Sequence, residues 1–221
     1  MIFDLDGVVT RTAKVHARAW QETFDPLLAR LGQPPFDPAA DYLRHVDGKP
    51  RLDGIRDFLA ARGIAAGEDE VRALGERKNA RFLDLLKDGV EVFGSSVDLI
   101  RALRRDGVRT AVVTASRNGE AVLRAAGVES LFDARVCGND AARLGLAGKP
   151  APDTFLHAAR LLGVAPTRAA VVEDALAGVE AGRAGGFGAV IGVDRAGQAA
   201  ALREHGATHV VRDLAELELA A

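Results

Sequence analysis

At 221 residues and 48% hydrophobic, the chain is long enough to bury a core and too long for a single-module peptide binder. Charged residues make up 27% and nearly balance at a formal net charge of -2, so no summed field holds the protein on nucleic acid or on an anionic membrane. Any phosphate it recognises must be held by a local cluster. One cysteine, Cys137, excludes a disulfide framework and a cysteine-built zinc site, and its apolar setting reads as a buried structural thiol in a reducing compartment. The first residues show no basic segment leading into an apolar run, and no apolar stretch approaches the ~20 residues of a membrane span. A cytoplasmic protein is expected.

The opening residues, Met1-Ile2-Phe3-Asp4-Leu5-Asp6-Gly7, read as the end of a buried strand running into a turn, because the apolar residues are continuous and glycine follows the acids. A central strand has ~5 to 6 residues, so either this strand is short or residues upstream of Met1 are missing. From about 12 to 87 the periodicity is helical, with Val71, Leu74, Lys78 and Phe82, Leu85, Leu86 at spacings of three and four. After Gly94 helices and strands alternate. Helices are expected over 97–105, 119–126, 153–162 and 177–184, and strands over 110–114, 134–137, 170–173 and 189–193. Alternation of this kind predicts a parallel, doubly wound α/β sheet whose short apolar strands are covered on both faces. The predicted organisation is an α/β core, 1–11 and 88–221, with an all-helical module, 12–87, inserted after the first strand.

In open parallel sheets, ligands bind at the carboxyl ends of the strands. Four apolar runs here end on reactive groups. In Asp4-Leu5-Asp6-Gly7, two carboxylates two apart leave an extended strand on one side while Gly7 lets the backbone turn. One can attack phosphorus and the other can move a proton; a simple turn is the plainer alternative. In Thr114-Ala115-Ser116, a hydroxyl and the following amides can donate to phosphoryl oxygens, or they can cap the next helix. Lys149, between Gly148 and Pro150, is either a surface lysine or a fixed ammonium that offsets anionic charge. Glu173-Asp174 closes the fourth run. Acids crowded at one sheet end repel one another, whereas Mg²⁺ takes one or two carboxylates plus water and phosphate oxygens and would make the cluster useful.

These four segments, in this order, resemble the four motifs of the haloacid dehalogenase superfamily. That resemblance implies Asp4 as nucleophile, Asp6 as general acid and base, and Thr114 and Lys149 as phosphoryl ligands. It also implies Mg²⁺ held by Asp4, Asp174 and the Asp6 carbonyl, with Glu173 assisting. An acid at Asp6 argues for phosphoryl transfer rather than dehalogenation, and the inserted module resembles the superfamily's small helical cap, which opens to admit substrate and closes to exclude water.

Within the superfamily the module is similar to that of the β-phosphoglucomutase-like branch. His16 and Trp20 match its His-x-x-x-Trp; Gly48 and Arg51 match its cap glycine and phosphate-binding arginine. Arg77-Lys78-Asn79 matches its Arg-Lys-Asn, and Ser116-Arg117-Asn118-Gly119 resembles its Ser-Lys-Asn-Gly. Trp20 and His16 as ordinary core, and Lys78 as a solvated helix face, are the plainer alternatives. A mutase holds two phosphates, and Arg51 with Ser116, Arg117 and Asn118 would supply the second anion site. The chain departs from the branch at Arg11, where an acid is usual, at Asp47, where a lysine is usual, and at Arg117, which replaces lysine. Lys49 could compensate.

The leading expectation is interconversion of β-D-glucose 1-phosphate and glucose 6-phosphate through an aspartyl-phosphate on Asp4 and a bisphosphate intermediate. A Mg²⁺-dependent sugar-phosphate phosphatase uses the same intermediate. An idle sugar-phosphate-binding domain would be expected to have lost one of the four motifs. The partner expected is a small sugar phosphate, with no nucleic acid and no membrane, acting on a monomer. His205 and His209 lack a third ligand and read as solvated residues near the terminus.

Overall fold

The computed structural model describes residues 1–46 and 49–217. They divide into two compact units, one formed by Met1–Thr12 with Val90–Ala221 and the other by Ala13–Gly89.

The first unit is built on a six-stranded parallel sheet of β1 (Ile2–Asp4), β2 (Ala111–Val113), β3 (Ala134–Val136), β4 (Ala170–Glu173), β5 (Ala189–Val193) and β6 (His209–Val211), in the order β3-β2-β1-β4-β5-β6. Every strand pair in it is parallel. The doubly wound sheet read from the alternation is therefore present. Strand order reverses on either side of β1, and such a switch point leaves a crevice at the carboxyl ends of the central strands. Register decides what faces it. Asp4 pairs with Val113, and Phe3 with Val172, so Thr114 follows one residue beyond the level of Asp4, while Glu173 falls beside it.

Short strands suffice because both faces are covered. Ile2, Val113, Val171 and Val190 pack with Phe155, Ala158 and Leu162, and α7 (Asp153–Leu161) supplies Phe155 and Ala158 to that core. The flanking helices α4 (Gly94–Arg105), α5 (Gly119–Ala125) and α8 (Leu176–Ala184) lie within a few residues of the expected bounds. Helices α6 (Gly138–Leu144) and α9 (Ala199–His205), together with β6, went unforeseen. The reason is visible in α6, whose residues are all exposed or half-buried and so carry no apolar stripe.

His209 is exposed, as expected, but His205 is not a freely solvated residue. His205 closes α9, half-buried, with Nδ1 2.5 Å from Glu180 Oε1, and His209 opens β6. Cys137 is buried as expected, and burial raises its thiol to about 11. Among the described residues, no helix is long and apolar enough to cross a membrane.

The second unit is all-helical, as its periodicity predicts: α1 (Thr12–Arg30, its first residue belonging to the first unit), a π-helical turn at Tyr42–Val46, α2 (Arg51–Ala61) and α3 (Glu68–Leu85). Three acids in the first turn of α3 complement its dipole, and Glu70 accepts from the Gly67 amide at 2.9 Å. Its core is aromatic. Phe24 is fully buried with ring centroids of Phe58, Trp20 and Phe36 at 4.2, 5.4 and 5.5 Å.

Truncating that ring leaves a cavity its rigid neighbours cannot collapse into. Phe24→Ala should lower stability by about 3–4 kcal/mol in chemical denaturation; a loss under about 1 kcal/mol would show that this cluster does not hold the unit together.

Candidate active site

Four chain segments far apart in sequence meet where β1, β2 and β4 end. Asp4, the last residue of β1, and Glu173, the last of β4, are buried at 5% and 1% exposure. Lys149 reaches between them from the loop ahead of α7, its Nζ bonded to Asp4 Oδ1 and lying 2.5 Å from Glu173 Oε1. The lysine is thus no surface residue. Burial works against its charge, yet Asp4 and Glu173 hold its pKa above the ordinary range. The other Glu173 oxygen accepts the Asp174 and Ala175 amides at 2.7 and 3.1 Å. Gly178 makes room for the Glu173 carboxylate, since a Cβ there would collide with Oε1.

Oxygens of Asp4, Glu173 and Asp174 lie within 4.8 Å of one another. Burial, then the charge of Glu173, pushes Asp174 up to about 8, and the same two causes push Asp4 well above the carboxylate range despite Lys149. One ammonium does not offset three acids. Gly7 is needed for the approach: its φ is +90°, and a Cβ there would sit 2.0 Å from Asp174 Oδ2.

The Asp6 carboxylate faces elsewhere. The Thr12 hydroxyl donates to Oδ1, and the Thr114 hydroxyl donates to Oδ2 at 2.8 Å. Asp4 and Asp6 therefore occupy separate environments, one against an ammonium and fellow acids, the other between two hydroxyls. Of the four acids read as metal ligands, Asp6 contributes no carboxylate to the cluster, and only its main-chain carbonyl is left for that role.

In the loop after β2, Thr114 and two of the amides beyond it are engaged within the loop and with Asp6. Thr114 spends its proton on Asp6 and accepts the Ser116 amide at 3.0 Å, while the Asn118 amide donates to Ser116 Oγ at 3.1 Å. Ala115 and Arg117 are exposed at the tip, and Asn139 Nδ2 donates to the Arg117 carbonyl at 2.9 Å.

In the helical unit, Lys78 is not on a solvated face. It is 4% exposed, with Nζ 2.6 Å from His16 Nδ1 and 4.9 and 4.8 Å from the ring centroids of Trp20 and Phe82. The His16 ring stacks on Phe82 at 4.1 Å. Burial, with the charges of Lys78 and Arg51, drives His16 well below its ordinary pKa, so the neutral imidazole accepts the ammonium at Nδ1 and keeps its proton on Nε2. Trp20 is buried in the aromatic core as well as facing that ammonium. Arg51 begins α2 and bonds the Gly75 carbonyl at 3.2 Å; Asn79 is half-buried. Gly48 and Asp47 lie outside the described residues. Lys49 Nζ pairs with Asp57 at 2.7 Å.

Sequence reasoning missed Thr12, read as the start of a helix, and Arg195, whose Nε donates to the Gly7 carbonyl at 2.9 Å from beyond β5. A hydroxyl six residues from its partner and a guanidinium 188 residues away leave no local pattern to read.

The model of the haloacid dehalogenase-like hydrolases matches residues 1–186. A β-phosphoglucomutase of Mycobacterium bovis is 48% identical over 98% of this chain and 90% of its own length. The fructose-1-phosphate phosphatase YqaB of Escherichia coli is 31% identical over 86% of this chain and 94% of that protein. Among solved structures, CbbY from Rhodobacter sphaeroides in complex with xylulose-(1,5)bisphosphate superposes with a TM-score of 0.77 at 29% identity, covering 98% and 94% of the two chains. The chain is a phosphotransferase or phosphatase that belongs to the haloacid dehalogenase superfamily, in its β-phosphoglucomutase-like branch.

Proposed function

We propose that the protein interconverts β-D-glucose 1-phosphate and glucose 6-phosphate through an aspartyl-phosphate on Asp4. The observation that carries this reading is the separation of two carboxylates only two residues apart into different environments. A nucleophile must be ionised beside a phosphoryl group, and Lys149 at Asp4 offsets that accumulation of charge. A general acid must hold a proton and release it, and the Thr12 and Thr114 hydroxyls keep Asp6 oriented and out of the acid cluster.

In the step proposed, Asp4 Oδ forms a bond to phosphorus as the bond from phosphorus to the leaving oxygen breaks, and Asp6 gives that oxygen its proton. Asp6 then takes a proton from the acceptor hydroxyl as that oxygen attacks phosphorus and Asp4 departs. The aspartyl-phosphate stands between the two halves: a sugar monophosphate that accepts from it becomes the bisphosphate, which turns round, returns its other phosphoryl group to Asp4 and leaves as the isomeric monophosphate. Lys149 stays protonated throughout and pairs with Asp4 and the transferring group.

The residues at the strand ends fit Mg²⁺. The oxygens of Asp4, Glu173 and Asp174 are hard donors, and the raised pKa values of Asp4 and Asp174 show a surplus of negative charge that a divalent cation would offset. Asp4, Asp174 and the Asp6 carbonyl would hold it, while Glu173, with both oxygens engaged, would support Lys149 and the Asp174 backbone. When bound, the ion would neutralise nucleophile and phosphate together and favour in-line attack.

The 48% identity to a named β-phosphoglucomutase supports the mutase, and the buried His16–Lys78 pair gives the helical unit a fixed cation suited to a phosphate or sugar hydroxyl. The phosphatase reading has its own support in the likeness to YqaB. Supplying β-glucose 1-phosphate, Mg²⁺ and a trace of glucose 1,6-bisphosphate separates them: glucose 6-phosphate is expected in excess over free phosphate, and the reverse ratio would replace the mutase with the phosphatase. Asp4→Asn should reduce either product by about 10³-fold or more. Near wild-type turnover by this variant would remove Asp4 from the chemistry.

Linkage supplies an independent check. Between its unfolded value of 3.8 and its folded value of about 8, Asp174 carries a proton in the folded chain and none in the unfolded chain. That difference disfavours the metal-free fold as pH rises through this window. Mg²⁺ binds the ionised acid, so its stabilising effect should grow from pH 6 to 8 and level off above. Thermal melts with and without Mg²⁺ measure it; an effect that is absent at every pH, or largest at pH 6, would rule out this site for the ion.

A further inference from the structure

The loop that follows β5, from Asp194 to Gln198, carries no acid of the cluster, yet it grips both acid-bearing turns. Arg195 Nε donates to the Gly7 carbonyl at 2.9 Å, and Gln198 Nε2 donates to the Asp174 carbonyl at 3.1 Å. The loop is braced in turn, because the Gln198 amide donates to Asp194 Oδ1 at 2.7 Å and Arg195 Nη1 donates to the Arg212 carbonyl at 3.2 Å. The two gripped turns approach closely, since a Cβ on Gly7 would collide with the Asp174 carboxylate.

The guanidinium has a second hold. Its Cζ lies 3.7 Å from the centroid of Phe93, and the Cζ of Arg11 lies 4.1 Å from the same centroid. Two flat guanidiniums that close to one centroid cannot share a face, so the ring is held between them. Phe93 belongs to the short ladder that fixes the first turn: its amide donates to Val9, Arg11 donates to Glu91, Thr10 bridges Val92, and Gly7 donates to Thr10. Arg195 thus fixes the Gly7 turn twice, at its own carbonyl and through the ladder that closes it. Buried Nη2 makes no hydrogen bond among the described residues. A side chain that tolerates an unpaired donor is placed by its other contacts rather than by convenience at a surface.

We propose that Arg195 and Gln198 are positioning residues for phosphoryl transfer, clamping the Gly7 turn and the Asp174 backbone so that the Asp4, Asp6 and Asp174 oxygens converge. Both side chains act through the backbone of the acid-bearing turns. The inference rests on the magnesium-dependent chemistry at Asp4 proposed above. It differs from a purely stabilising role in what it moves: misaligned oxygens weaken the ion and the transition state more than the encounter with sugar phosphate.

The test uses Arg195→Met, Gln198→Leu and Arg195→Lys in the full chain, with two readouts. The first is turnover of β-glucose 1-phosphate, counting glucose 6-phosphate and free phosphate together. The second needs no sugar and follows thermal stabilisation by Mg²⁺ with beryllium fluoride, a mimic of the phosphorylated carboxylate. For Arg195→Met and Gln198→Leu, kcat should fall about 10- to 100-fold and the Mg²⁺ midpoint should rise about as much, with KM within about threefold. Arg195→Lys keeps the charge but loses the planar fork, and should stay within about threefold of Arg195→Met.

Wild-type midpoints and kcat in the folded variants would overturn the clamp. So would a lower melting temperature without ligands combined with an unchanged Mg²⁺ midpoint, which is the signature of a merely structural role. Full recovery in Arg195→Lys would replace positioning with simple charge. If the unaltered protein gains no stability from Mg²⁺ and beryllium fluoride, the reading of Asp4 fails and takes the clamp with it; if it gains stability and the variants match it, the clamp alone fails.

Discussion

The ammonium of Lys149, buried between Asp4 and Glu173, is the contact on which the site depends. Bringing three acids together out of water is costly unless each charge is answered, because desolvation and mutual repulsion both favour protonation. Lys149 answers part of that charge. The Asp174 and Ala175 amides answer part of the Glu173 carboxylate, and the residue left over appears as the raised pKa values of Asp4 and Asp174. The sheet tolerates this arrangement because the acids sit at strand ends, where the backbone has left the ladder and side chains meet a crevice instead of a packed face.

The helical unit solves a similar problem differently. There the Lys78 ammonium is buried beside a histidine. A neutral imidazole accepts it, and two aromatic faces lie within 5 Å of it. The ammonium at Asp4, by contrast, is shared between two acids. The two lysines therefore sit in different settings, one between carboxylates and one among an imidazole and aromatic rings.

Much of this was legible in the sequence because strand ends are local features. Asp4, Thr114, Glu173 and Asp174 each follow an apolar run, and the alternation of runs and helices fixes the sheet type that gathers their ends. Lys149 was readable through its rigid neighbours. What escaped was long-range. Thr12 looked like a helix start because it is one, and its hydroxyl also reaches Asp6. Lys78 looked solvated by type, since lysine is seldom buried, and only the tertiary packing of His16, Trp20 and Phe82 around it says otherwise. Lys49 looked available and pairs with Asp57. Arg11, which departs from the pattern of its branch, found a partner in Phe93, a residue that no motif had singled out.

Thr114 shows why type and position alone do not assign a role. Its hydroxyl has one proton, and that proton goes to Asp6 while its lone pair receives the Ser116 amide. For Thr114 to donate to a phosphoryl oxygen, Asp6 must first give up this bond, and Asp6 can do so only by turning toward a proton donor or acceptor of its own. Release of Asp6 from the two hydroxyls and donation from Thr114 to the phosphoryl group are thus one exchange of hydrogen bonds. On the proposed roles, the proton-transfer group and the phosphoryl ligand are set together, and the geometry that holds Asp6 between Thr12 and Thr114 is the arrangement from which that exchange begins.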